Sequence, residues 1–368
     1  MSLHRITGSV LLALFLTSFT TASSAQTVAT GSMTVPRESA VATRLEDGRV
    51  LVTGGFGGYG STYLNSAEIF DPQTGIFTSA GNMHSMRTSH TATLLTNGDV
   101  LIAGGGYWSG VARTVSSAEL YIASTGRFES ISDMIVARSS HTATLLRDDT
   151  VLLTGGLDER QQKAIADAEI YDPATRSFTR VGNMTAPRYA HGAARLPDGR
   201  VLIVGSSADL YDPETRTFQA TAGPIGPHIG ATVVLANGEI LFVGTDDAPA
   251  IGSASEIYDP STGTFHLAEP VWTAPWAATA TLLPGGAVLV AGGGDEYATD
   301  ELSIFDPAKQ TYQTVGKLQR YRTQHAAVAL RDGRVLIMGG EDDSGAVGVS
   351  SSAEIYGTPL IRRRAVRH

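Results

Sequence analysis

The sequence contains no cysteine. That absence excludes disulfides, a thiol nucleophile, thiolate metal sites and a lipid-modified N-terminal cysteine. It does not assign a compartment, because exported proteins can do without disulfides. Charge is also sparse. Only 17% of residues are Asp, Glu, Lys or Arg, and the net charge is -9, against the usual quarter charged. A general nucleic-acid binder needs a basic surface, so that class is set aside. After the first 25 residues no stretch is apolar enough to cross a bilayer. What the chain has instead is glycine, 41 of 368 residues, and a hydrophobic share of 42%. Frequent glycine with little charge points to many tight turns between short strands.

Residues 1–25 have the pattern of a secretory leader: Arg5, then the apolar run Val10–Leu16, then Ser23-Ser24-Ala25 before Gln26. Cleavage after Ala25 leaves 343 of the 368 residues and, with Arg5 gone, a net charge of -10. The expectation is a periplasmic or secreted protein with no membrane span. The remaining chain divides into a repeat array over 26–358 and a basic tail over 359–368, with Arg362, Arg363, Arg364 and Arg367.

The array is visible as four recurring strings. VLVTGG at Val50 returns at Val100, Val151, Val201, Ile240, Val288 and Val335, making seven copies. Each is followed by a string of the AEIYDP type, as at Ala168. Most are preceded by SHTATLL or a cousin, and most units close on TGxF, as at Phe77 and Phe178. Asp47-Gly48, Asn97-Gly98, Asp198-Gly199, Asn237-Gly238 and Asp332-Gly333 join the first two runs, and Asn-Gly or Asp-Gly predicts a type I′ hairpin turn. Four short antiparallel strands per ~49 residues is one propeller blade, and seven blades fill the chain. Repeat seven stops after its third strand at Tyr356. Thr27–Met33 aligns with Phe77–Met83, so the N-terminal strand is expected to complete the last blade and close the ring.

The glycine doublets, the downstream Tyr or Phe and the later aromatic, at a period near 50 residues, resemble the kelch repeat. The variant with AEIYDP resembles bacterial exported kelch proteins and the central propeller of galactose oxidase. The likeness runs from Thr27 to Tyr356. It is weakest at Gly205-Ser206 and Gly244-Thr245, where the doublet is broken. It implies an all-β, seven-bladed kelch-type β-propeller. It also implies that loops between strands two and three share one face with the loops between blades. The oxidase needs a tyrosine–cysteine cross-link beside copper. Without cysteine that cofactor cannot form, and no cofactor is expected.

Several residues on that face are candidates. Arg37, Arg87, Arg138, Arg188 and Arg322 recur three residues before the His position, where Pro227 and Ala274 replace them in blades five and six. They read either as an anion-binding mouth or as bridges to the carboxylates that open the third strand: Glu68, Glu119, Glu169, Asp209 and Glu354. Glu256 has no such Arg and is the one candidate acid/base. His90, His141, His191 and His325 share a repeat position; they could ring a metal or serve as packing residues. Trp108, Trp272 and Trp276 are candidate ligand-stacking aromatics, with the tyrosines at 59, 63, 107, 189, 297 and 321 in the same loops. Trp272 and Trp276 could equally fill the space left by the missing Arg of blade six. Asp158-Glu159, Asp246-Asp247, Asp295-Glu296 and Glu341-Asp342-Asp343 could hold Ca²⁺ or be solvated loop charge. The function expected is a protein- or glycan-binding module, with a carbohydrate-active enzyme of the sugar-acid epimerase or galactose-oxidase type as the alternative. In that alternative Arg87, Arg138, Arg188 and Arg322 would clamp a carboxylate.

Overall fold

The computed structural model describes residues 27–58, 62–226, 230–244, 255–270, 277–294, 298–342 and 348–357. Strands alternate with turns throughout, and no helix occurs among the described residues. Seven antiparallel sheets form a ring, one per repeat, each with its HTATLL-type strand innermost. Blade two, for example, runs outward through Thr91–Leu94, Val100–Ala103, Ala118–Ile122 and Arg127–Ser130. The protein is a seven-bladed β-propeller.

The VLxx strand of every blade is buried at all four positions. Its run is apolar but for Thr53 and Thr154 because each face packs on a different neighbouring blade. Val151 and Leu153 meet Leu101 and Ala103 of blade two, while Leu152 meets Val201 and Ile203 of blade four. Alternation along the strand thus distributes one string between two interfaces. The core is therefore a set of inter-blade clusters, each buried side chain contributing about 1.5–3 kcal/mol. The aromatic of AEIYDP meets that of TGxF in its own blade, as in Tyr171–Phe178 with ring centroids 5.1 Å apart.

The inner hairpins differ from the type I′ expectation. Only the glycine is left-handed, at φ 86° for Gly98, while Gly98 N–H donates to Leu95 O at 3.0 Å and Leu95 N–H to Asp99 O at 2.9 Å. This is a three-residue loop, a type I turn followed by one left-handed residue. The Asn or Asp is selected for its side chain: Asn97 Oδ1 accepts the Asp99 N–H and Asp47 Oδ1 the Arg49 N–H.

The ring closes as the alignment of Thr27–Met33 requires. Val28 and Ala29 pair with Ile355 and Glu354, forming the outer strand of blade seven. The first and last described strands thereby share one sheet, which covers the outer edge of Ala353–Tyr356.

Candidate functional site

The repeated arginines lie inside the blades. Arg37, Arg87, Arg138 and Arg322 are at most 1% exposed and Arg188 is 4% exposed. The Arg138 guanidinium donates to Gly155 O, to Asp167 O and to Glu169 Oε1, the last at 2.8 Å. Glu169 in turn accepts the Ile135 and Val136 N–H groups at 2.7 and 2.9 Å. The same carboxylate bridges recur as Arg37–Glu68, Arg87–Glu119, Arg188–Asp209 and Arg322–Glu354. Each bridge ties the incoming inter-blade loop to the third strand of its blade. Of the two sequence readings, this geometry matches the structural bridge: the forks are spent on interior carbonyls and carboxylates.

The arginine backbone has a second use. The carbonyl of each of these five arginines approaches the glycine doublet of the preceding blade. Gly156 N–H donates to Arg188 O at 2.8 Å. A Cβ on Gly155, whose φ is 61°, would lie 2.5 Å from that oxygen and 2.8 Å from His191 Cε1. The doublet is therefore glycine because the next blade occupies the space a side chain would need. Gly205, in the broken doublet, does not adopt a left-handed φ; its partner position, Pro227, lies outside the described residues.

Glu256 sits in blade five where the other carboxylates sit. It is fully buried and accepts the Ile225 and Gly226 N–H groups at 2.9 and 2.8 Å. The acid/base candidate is thus placed beneath an inter-blade loop.

The four histidines are buried at the inner edge of the blades. Each Nε2 meets a threonine hydroxyl of the preceding blade: His90–Thr53 at 2.8 Å, His141–Thr91 at 3.1 Å, His191–Thr142 at 3.0 Å and His325–Thr279 at 2.9 Å. Burial, with help from the nearby arginine charges, lowers the pKa of His90, His191 and His325 to about 3 and that of His141 well below 6.5. These are neutral rings acting as inter-blade ties. Among the described residues no group of three His, Asp or Glu side chains is arranged to hold a metal ion.

Accessible polar and aromatic side chains gather on two neighbouring hairpins whose sequences are not repeated. In blade two Gly106–Trp108 pairs with Ala112–Thr114, placing Trp108 near the tip at 59% exposure, with Val111 also exposed. In blade three Leu157–Asp158 pairs with Lys163–Ala164. Glu159 N–H donates to Thr114 Oγ1 at 2.8 Å, and a side chain on Gly106 would collide with the Glu159 carboxylate, so the hairpins are joined near their bases. Between them runs a trough of about 650 Å³ lined by Tyr107, Arg113, Asp133, Asp158, Arg160 and Gln161 among others. It continues past Ala137 and Gln161 into a second basin of about 540 Å³, lined by Ile135, Lys163 and Pro187 among others.

The sequence singled out Trp108, Tyr107 and Asp158 but missed Arg113, Arg160 and Gln161, which occur in no repeated string. The available signal was spacing: Gly104 to Ala118 in blade two against Gly205 to Ala208 in blade four. Tyr189 and Tyr321 are exposed as well, and Tyr63 packs on Phe56 at 5.0 Å. Trp272, Trp276, Tyr59, Tyr297 and the acidic pairs at 246–247 and 295–296 lie outside the described residues. Asp158 caps the Arg160 and Gln161 N–H groups. Glu341-Asp342 forms a two-residue ladder with Gly348-Val349.

A sequence-family model described as Kelch motif matches residues 47–84. No curated protein matches the chain. Among solved structures, one described as a "Novel fungal alcohol oxidase with catalytic diversity among the AA5 family, in complex with copper" superposes with a TM-score of 0.74 at 16% identity, covering 91% of this chain and 76% of that one. Another, described as "Structure of YjhT", gives a TM-score of 0.56 at 12% identity, covering 88% and 95%. At these identities the likeness is one of fold.

Proposed function

We propose that this protein is an exported, non-enzymatic binding module that engages a protein or glycan through the face carrying the blade-two and blade-three hairpins. The observation that carries the reading is Trp108. A large aromatic stands more than half exposed on a paired hairpin beside an open trough, where folding alone gives it no work. Exposed tryptophan in such a setting supplies much contact area at small entropic cost. The enzymatic alternative asks for a reactive group open to substrate. Its named candidates, Glu256 and the arginine clamps, are buried and engaged. The oxidase route further needs a cysteine that the sequence lacks.

Trp108→Ala is expected to leave stability within about 0.5 kcal/mol while weakening saturable binding on a panel of immobilised oligosaccharides and envelope proteins by about fivefold or more. Unchanged binding across the panel, or turnover of any bound sugar, would sink the reading. Export is tested separately. Expressed with residues 1–25, the protein should be recovered outside the cytoplasm with Gln26 as its first residue by mass spectrometry. An intact cytoplasmic chain would contradict the leader.

A further inference from the structure

We infer that the trough between the hairpins of blades two and three is a subsite for a neutral oligosaccharide chain. The assignment rests on the binding-module reading and narrows its ligand class.

Charge is the first argument. Arg113 and Arg160 share one trough lining with Asp133 and Asp158, so the formal charges cancel. None of the four forms an ion pair among the described residues; Arg113 Nε donates to Ser109 Oγ at 3.1 Å and Asp133 accepts the Ser116 hydroxyl at 3.3 Å. An anionic ligand seated there would meet the two carboxylates, and a cationic one the two guanidinium groups. A ligand whose groups both donate and accept can satisfy both kinds of side chain without leaving a charge buried and unpaired. Hydroxyl groups do this.

The lining supplies the matching partners. Thr114, Ser116 and Gln161 add further groups that donate and accept. Tyr107, half-buried opposite Arg113 in the hairpin register, adds a flat apolar surface of the kind on which the C–H face of a sugar ring packs. A peptide ligand asks for something else, a desolvated apolar pocket for an anchoring side chain. Here the larger basin is polar, and the apolar one lies beyond it.

Shape is the third argument. About 650 Å³ lies within the ~300–1,000 Å³ of small-ligand sites. The trough is not closed at its blade-three end but opens into the second basin, where Ile135 and Pro187 offer an apolar wall. A chain can pass from one basin to the other; a single ring would leave half the surface bare.

The test is isothermal titration calorimetry of the purified protein with maltohexaose, cellohexaose and chitohexaose, and with an oligogalacturonate hexamer as the acidic counterpart. At least one neutral hexamer should bind saturably, with an affinity that changes less than about twofold between about 50 and 500 mM NaCl because no net charge is matched. Tyr107→Ala and Arg160→Ala should each weaken it about fivefold or more without lowering the melting temperature. Arg160 is exposed, and its backbone N–H, which Asp158 caps, remains after truncation, so its variant stays informative even if Tyr107→Ala perturbs the hairpin. Failure of all three neutral hexamers, binding of the acidic hexamer alone with a steep salt dependence, or binding that survives both substitutions would overturn the assignment. Should no sugar bind while a Trp108-dependent protein partner is found, the trough assignment falls and the module reading stands. Should neither bind, both fall.

Discussion

Lowering the pH from 6.5 to 5.5 is expected to remove about 4 kcal/mol of folding stability, about 1 kcal/mol for each of the four buried histidines. In the unfolded chain these rings titrate near 6.5, whereas in the folded protein His90, His191 and His325 titrate at about 3 and His141 well below 6.5. Between those values the unfolded state binds more protons than the native state, so stability falls as the pH falls. The contribution is whole above pH 6.5 and is lost progressively toward pH 3. The loss is large against a total stability of about 5–15 kcal/mol. The charged ring would gain no compensating bond, because Nε2 meets only threonine and the buried Nδ1 has no hydrogen-bond partner. Urea melts at pH 7.5, 6.5 and 5.5 measure the effect. His141→Gln, which can keep the bond to Thr91, should reduce the slope by about a quarter. A stability that stays flat to pH 5.5 would contradict the neutral, buried state of these rings.

Arg138→Met is expected to destabilise the protein by about 3–5 kcal/mol. The substitution keeps much of the side-chain volume and removes the charge. Glu169 is then left buried with its Arg partner gone, and the carbonyls of Gly155 and Asp167 each lose a donor. Arg138→Met with Glu169→Gln should recover part of the loss, since the uncompensated carboxylate accounts for most of it. Chemical denaturation of the three variants reads this directly. An additive double variant would mean that the two side chains do not act as a pair.

The scaffold was legible because it is repeated. Seven strings of the VLxxGG type, two of them with a broken doublet, locate seven central strands, and Thr27–Met33 could be placed in blade seven because GSM matches GNM at the same offset. Pairing of Arg with a third-strand carboxylate was visible as co-occurrence: blade six lacks both members, with Ala274 and Ser303 in their places. What one string could not decide was direction. The same Arg138 serves an anion-binding mouth if its fork points outward and a bridge if it points inward, and residue type is silent on that choice. Turn type escaped for a related reason. Asn-Gly fits a two-residue and a three-residue loop equally, and the difference lies in whether Asn97 itself turns left-handed. The trough was the least legible feature. Repetition marks what every blade needs, whereas Arg113, Arg160 and Gln161 belong to two blades only and come together across a gap in the chain of nearly 50 residues.

The division between a repeated scaffold and non-repeated recognition hairpins is tested most directly by melting Arg138→Met and Trp108→Ala side by side. Arg138→Met should melt well below the parent protein, and Trp108→Ala within about 2 °C of it. An Arg138→Met variant that melts with the parent, or a Trp108→Ala variant that does not, would place the arginine among the ligand-binding residues or the tryptophan among the structural ones.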